Sequence, residues 1–309
     1  MIKTSLIIPL FNEEKNIPVL IEMLTNQTLY PNEIIFINAG STDLTKKILN
    51  NEIDKSKLNK DSIIIKNTNK LYPGAARNAG IKLSKFEYIL FIDAGIKIDE
   101  RWVEKSIKVM NAKKYDIIWG ACKFSFVDNF SEALCAITFG KDKTYQTIPG
   151  SIINRKTFDI IGDFDPKLLS AEDLLWMNKA NKSNFNCFIN NLNFNTYSSY
   201  PDSFLKLSKK WFINSFFSIK SKLYFKQSII YTVFFLSLFL SPLISYKYLG
   251  LLFLFYFIFR ILILPIKKNK KIIWYSNVNV FFYSLIISVI IDFSKFFGFI
   301  TGAFFYGKK

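Results

Sequence analysis

The 309-residue chain is half hydrophobic and 17% aromatic, and it carries a formal net charge of +17 without a single histidine. That absence excludes a His-based triad, a His-ligated metal and an imidazole acid or base, which leaves a carboxylate as the leading candidate for acid–base work near neutral pH. The charge is not a nucleic-acid footprint, because only Arg77, Arg101, Arg155 and Arg260 are arginines and no basic run is interleaved with aromatics away from the apolar segments.

Residues 4 to 10 read as a short buried strand. Asn12-Glu13-Glu14 then opens a helix with Ile17, Leu20, Ile21 and Leu24 on one face. Glu33 to Asn38 is a second strand, and the turn Ala39-Gly40-Ser41-Thr42-Asp43 leads into a helix through Leu44 and Ile48. Ser62 to Lys66 is a third strand, and Pro73 to Gly80 leads into a short helix. Tyr88 to Asp93 is a fourth strand that ends on an acid. Such an alternation of near-continuous apolar strands with helices predicts an α/β fold with a mainly parallel, Rossmann-like sheet covered on both faces. Ligands of these folds bind beyond the carboxyl ends of the strands, so Asn12, Glu13, Asn38, Ser41, Asp43 and Asp93 are expected to converge there. Farther on, a helix over 100–113, a strand over 115–126 and a helix over 172–182 are expected, while the stretch 184–200 gives little. Cys122, Cys135 and Cys187 form no CxxC pair and read as small core residues in a reducing compartment.

Past residue 228 the chain turns strongly apolar. Ile229–Ser245, Tyr248–Ile266 and Ile272–Ile291 read as spans, and Phe293–Tyr306 is too short to cross unaided. No charge pair is expected within the spans. Lysines cluster before the first span (206 to 226) and between the second and third (267 to 271), which places both clusters and the preceding domain in the cytoplasm. Lys308 and Lys309 favour the same side, which would require the chain to turn back after Asp292. Between domain and spans, Phe204, Leu207, Trp211, Phe216 and Leu223 lie among lysines and read as an interfacial helix on anionic lipid. The run Ser5–Phe11 is too short, and too broken by Pro9, to be a signal segment. The expected organisation is a catalytic domain over 1–200, an interfacial linker over 201–227 and a membrane region with about three spans over 228–309.

The motifs carry more than their single residues. In order they are Ile7-Ile8-Pro9-Leu10-Phe11-Asn12-Glu13-Glu14, Asn38-Ala39-Gly40-Ser41-Thr42-Asp43, Ala76-Arg77-Asn78-Ala79-Gly80, Phe91-Ile92-Asp93-Ala94-Gly95, Gly162-Asp163-Phe164-Asp165 and Ala171-Glu172-Asp173. This series resembles the family-two glycosyltransferases of the GT-A fold over about residues 4 to 185. The subgroup it is most similar to is the succinoglycan-biosynthesis type, which has C-terminal membrane segments and a Gly-rich tail like Phe297-Gly298-Phe299-Ile300-Thr301-Gly302. The resemblance implies a membrane-bound, inverting transferase that moves one sugar from a nucleotide-sugar donor, UDP by default, to a lipid-linked or surface-glycan acceptor at the cytoplasmic face of a bacterial-type inner membrane. In that reading Pro9, Phe11, Asn12, Glu13, Asn38 and Asp93 bind the nucleoside, and Arg77 contacts the base or diphosphate. Asp173 of the Glu172-Asp173 pair is the general base.

Two departures from the family pattern stand out. Asn38-Ala39 replaces the usual pair of acids. Asp93-Ala94-Gly95 replaces DxD, so the position that would help hold Mg²⁺ or Mn²⁺ is glycine. Either a divalent ion still binds through Asp93, water and the diphosphate, or a cation such as Lys97 or Arg77 stabilises the leaving group. Leu207-Ser208-Lys209-Lys210-Trp211 keeps only the basic residue and the tryptophan of the QxxRW signature of processive synthases, which favours single addition. A polyprenyl-phosphate glycosyltransferase and a non-catalytic scaffold are the alternatives.

Overall fold

The computed structural model describes residues 2–141, 143–197, 201–223, 225–269 and 277–306. The chain forms two units, one of residues 1–123 and 144–199 and the other of residues 124–143 and 200–309.

The first unit is an eight-stranded sheet flanked by helices. Its elements are β1 (Thr4–Leu10), α1 (Ile17–Thr25), β2 (Glu33–Asn38), α2 (Thr45–Lys55), β3 (Ile63–Asn67), α3 (Pro73–Leu83), β4 (Tyr88–Phe91), β5 (Ile96–Lys97), α4 (Trp102–Lys113) and β6 (Ile117–Phe124). The chain then leaves for the second unit through α5 (Asn129–Thr138) and returns as β7 (Thr144–Asn154), α6 (Lys156–Ile161), α7 (Glu172–Asn181) and β8 (Cys187–Tyr197). Strand order is β3-β2-β1-β4-β7-β6-β8-β5. The first four are parallel, as the alternation of strand and helix predicts, and the sheet continues antiparallel from β4 to β7 and from β7 to β6. Side chains of a strand alternate between faces. Leu6, Ile8 and Leu10 of β1 therefore join the core under α1 and α4, while Ile7 joins Phe91, Phe164 and Trp176 on the opposite face.

Close backbone approach fixes α3 on that second face. A Cβ at Gly80 would lie 2.4 Å from Ile7 Cγ2, and one at Gly74 would lie 2.7 Å from the Asp165 carbonyl. Only glycine lets the helix sit so near both neighbours. The fourth strand is shorter than expected and stops at Phe91, leaving Asp93 in the turn that follows. The stretch 184–200, opaque in sequence, contains the long strand β8.

The second unit holds α5, α8 (Phe204–Ser221), α9 (Phe225–Ile244), α10 (Tyr246–Phe257), a π-helical segment (Ile258–Ile263), α11 (Leu264–Lys268) and α12 (Val278–Tyr306). Three helical stretches are long and apolar enough to cross a membrane: Phe225–Ile244, Tyr246–Lys268 and Val278–Tyr306. The expected third span began at Ile272, and residues 270–276 lie outside those described, as do Lys308 and Lys309. Beyond them the expectation is corrected. Val278–Tyr306 is one continuous helix of 29 residues, with no turn at Asp292.

A second expectation also fails, because there is a charge pair among these helices. Arg260 donates from Nε to Asp292 Oδ2 at 2.7 Å, and the Tyr256 hydroxyl donates to the same oxygen at 2.9 Å. Arg260 Nη1 also reaches the Ile137 carbonyl at the end of α5. Lys268 and Asn269 cap the neighbouring carbonyls of Thr138 and Ala136. Cations and amide donors at a helix carboxyl end satisfy its orphan carbonyls and oppose its dipole. Removing one partner of a buried ion pair leaves an uncompensated charge, whereas removing both does not. Asp292→Ala should therefore lower stability by about 3–5 kcal/mol. The double variant Arg260→Met/Asp292→Leu should recover most of that loss, as read by thermal unfolding of the detergent-solubilised chain.

Candidate active site

The loops after β1, β2 and β4 and the start of α7 surround a cavity of about 410 Å³, within the usual range for a ligand site. Pro9, Phe11, Glu13, Arg77, Asp93, Gly95, Glu172 and Asp173 all line it.

Arg77 is its centre. The side chain is 5% exposed, and its guanidinium bridges two elements. Nη1 donates to Glu172 Oε1 at 2.7 Å, and Nη2 donates to Asp93 Oδ1 at 3.1 Å and Oδ2 at 3.4 Å. Arg77 therefore points into a wall of carboxylates. Nε is buried without a hydrogen-bond partner, and the ring of Phe164 lies 5.7 Å from the guanidinium carbon. Asp93 and Glu172, 79 residues apart in sequence, meet only through this side chain.

The segment before α7 is held by Asn78, which sequence reasoning passed over. Its amide donates to the Phe164 carbonyl at 2.8 Å and accepts from the Phe164 N–H at 3.0 Å. Ala171, at the head of α7, adopts φ +68°, a left-handed conformation unusual for a residue with a Cβ. Strain of this kind gathers where a surrounding frame imposes it, and here it aims Glu172 and Asp173 at the cavity. Glu172 is buried and Asp173 half-buried. Burial, followed by the charge of Asp173, pushes the Glu172 carboxyl up to about 7, against the pull of Arg77. Burial also raises Asp173, again opposed by Arg77. Glu13 is raised by burial, and the charges of Asp93 and Asp43 add to that.

Asn12 and Asn38 do not line the cavity; they tie its loops together. Asn12 Oδ1 accepts from the Thr42 N–H at 2.8 Å, and its own N–H donates to Ser41 Oγ. Asn38 donates to Asn67 Oδ1 and accepts from the Ser41 N–H. Asp43 likewise accepts from the N–H groups of Glu14 and Thr45. Lys97, one of the two cations named for the leaving group, sits exposed on β5, paired with β8, and does not line the cavity. The cation that does line the cavity besides Arg77, among the described residues, is Lys70. No motif marks it in the sequence. Its backbone packs closely on Gly40, where a Cβ would lie 2.7 Å from the Lys70 backbone nitrogen. Tyr72, Ser170 and Tyr197 also line the cavity and had no sequence signal.

No group of three His, Cys, Asp or Glu side chains able to hold a metal exists among the described residues. Asp93, with 38% of its side chain exposed, offers one carboxylate on the cavity, and Gly95 offers none. One carboxylate is by itself a thin ligand set for a hard cation.

A family model described as Glycosyl transferase family 2 matches residues 5–168. The chain belongs to glycosyl transferase family 2. Among curated members, Glycosyltransferase AglE of Haloferax volcanii is 25% identical over 193 residues, which is 59% of this chain and 62% of AglE. The poly(ribitol-phosphate) beta-N-acetylglucosaminyltransferase TarS of Staphylococcus aureus is 28% identical over 192 residues, 58% of this chain and 32% of TarS. The chain thus spans less than two thirds of the length of either relative. The structure of S. aureus TarS 1–349 in complex with UDP-GlcNAc superposes with a TM-score of 0.49 at 21% identity, covering 69% of this chain and 66% of that one. The matched residues lie mostly in the sheet unit, and the cavity lies at the carboxyl ends of its parallel strands.

The raised pair makes a sign-definite prediction. A carboxyl whose folded pKa exceeds its unfolded value binds more protons folded than unfolded between the two, so stability falls as pH rises through that window. Against Glu172→Gln/Asp173→Asn, the wild type should lose stability from about pH 4.5 to about pH 7 and stay level above, as measured by unfolding temperature across pH.

Proposed function

We propose that the protein is a membrane-bound, inverting glycosyltransferase that moves one sugar from a nucleotide-sugar donor, a UDP-sugar by default, to a hydroxyl of a lipid-linked or surface glycan at the cytoplasmic face. The observation that carries this reading is the Asp93–Arg77–Glu172 bridge, which sets Asp173 beside it on the wall of the cavity.

Asp173 takes the proton of the acceptor hydroxyl. The acceptor oxygen attacks the anomeric carbon from the face opposite the diphosphate, the bond from that carbon to the diphosphate oxygen breaks, and its electron pair leaves with the nucleotide. Configuration therefore inverts. Glu172, engaged with Arg77, positions the base. Phe11, 44% exposed at the end of β1, offers a face for the nucleobase. Asp93 takes the ribose hydroxyls through its exposed edge. With both ends of the Arg77 guanidinium committed to carboxylates, Lys70 is the cation that meets the diphosphate. A divalent ion accompanying the diphosphate would be held by Asp93 and would offset charge on the leaving group. The membrane placement rests on the apolar stretches Phe225–Ile244 and Tyr246–Lys268, with lysines at their outer ends.

The test is transfer by membranes carrying the protein, assayed with UDP-, GDP- and dTDP-sugars. Asp173→Asn should cut transfer by about 10²–10⁴-fold while nucleotide binding is kept. The rate of the wild type should fall on acidification, with an apparent pKa above the ordinary carboxylate range, because the raised Asp173 must be ionised to act. Transfer that survives in Asp173→Asn would remove this residue as the base. Nucleotide binding without turnover of any donor would favour a scaffold. Lys70→Ala should raise KM for the donor several-fold with a smaller change in kcat.

A further inference from the structure

The second unit holds a cavity of its own. Helices α9, α10 and α12 surround about 310 Å³, within the range of ligand sites. Phe235, Phe239, Leu249, Phe253 and Phe293 line it, and Tyr256 is the one lining side chain with a polar atom.

Each of the three helical stretches changes character along the face that carries its lining residues. On α9, Tyr231 is followed by Phe235 and Phe239 at steps of four. From Arg260 the chain runs back through Tyr256, Phe253 and Leu249 at steps of four, three and four. On α12, Lys295, Asp292 and Val289 follow one another at steps of three. The apolar members of these rows share the cavity. The polar members meet beside it, where Arg260 and the Tyr256 hydroxyl bond Asp292 and the Lys295 ammonium lies 5.3 Å from the centre of the Tyr231 ring. The result is an amphiphilic site, charged at one end and apolar at the other.

The charged end holds more cations than acids. The charges of Arg260, Lys295 and Lys143 all act on Lys268, and the acid set against them is Asp292. Asp292 is already occupied by Arg260 and Tyr256, and Lys268 donates to the carbonyls of Ile137 and Thr138. Lys295 is the cation left over. It is half-buried, the Trp211 ring lies 4.6 Å from its ammonium on the side of α8, and no oxygen accepts from that ammonium among the described residues. Two rings attract a cation. They do not supply the oxygen acceptors that an ammonium held away from bulk water calls for. A phosphate supplies both the charge and the acceptors.

Lys268 ends the apolar stretch Tyr246–Lys268, which sets the cations at the headgroup end of that stretch and the cavity farther along it. We infer that this site binds one membrane lipid with an anionic phosphate head, its phosphate on Lys295 and a chain in the cavity. The inference rests on the membrane reading of the second unit and needs no part of the transfer chemistry.

Binding to the full chain in neutral detergent tests it, counted by native mass spectrometry. The probe is dioleoyl phosphatidic acid, with dioleoylglycerol for the chains alone and inorganic phosphate for the head alone. One phosphatidic acid should bind saturably, and the other two far more weakly. Lys295→Gln should weaken binding by about ten- to a hundredfold, as loss of a charge-assisted bond does, while Lys295→Arg keeps most of it. Val289→Phe, which narrows the cavity and leaves every charge in place, should weaken it several-fold. Lys206→Gln, on the exposed side of α8, should change nothing. Equal loss from Lys206→Gln and Lys295→Gln would reveal diffuse attraction to a basic surface and overturn the site. So would unchanged binding in Lys295→Gln, or dioleoylglycerol or inorganic phosphate binding as tightly as the lipid. If Lys295→Gln does not fold, Val289→Phe decides, and full binding by that variant overturns the inference.

Discussion

A guanidinium cannot shed its proton, so a buried arginine dictates what surrounds it. Arg77 meets this demand by drawing an acid from the turn after β4 and an acid from the start of α7 onto its two faces. The rest of the site follows from that constraint. Gly74 and Gly80 let α3 sink far enough to bring Arg77 inward, and Asn78 ties down the segment that leads to Glu172. The strained Ala171 turns α7 so that its first carboxylate reaches the cation and its second faces the cavity. A lysine could not replace it, since a point charge would not hold two carboxylates in one plane.

The chain has four arginines in a strongly lysine-rich sequence, and three of them are used in the same way. Arg155 donates to the carbonyls of Ile81, Ser84 and Phe86, closing the link between α3 and β4. Arg260 joins Asp292 to the end of α5.

Much of the sheet was legible because buried parallel strands read as unbroken apolar runs, and β1 and β2 match their expected bounds closely. Strands β7 and β8 were missed, since Pro149, Gly150 and a string of asparagines hide their pattern. Residues that face the cavity from the motifs, such as Phe11, Asp93 and Asp173, were visible. Lys70 and Tyr197 were not, because a lone cation or ring carries no pattern until the fold places it. Arg77, Asp93 and Glu172 were each visible as site residues, but their pairing was not. The pair of Arg260 with Asp292 was hidden for the same reason, as two charges 32 residues apart in separate apolar runs.

Burial and the charges that meet at the cavity explain why Glu13, Glu172 and Asp173 resist ionisation. Glu13, Asp93, Glu172 and Asp173 face only Arg77 and Lys70 among the described residues. Full ionisation of all four would leave the cavity negative before an anionic donor arrived. Burial and mutual repulsion raise Glu13 and Glu172, and burial raises Asp173, so part of that charge is given up. A diphosphate adds more negative charge, and a cation arriving with it at Asp93 would restore the balance. A cation bound beside the diphosphate would lower the cost of ionising Asp173, whereas the diphosphate alone would raise it.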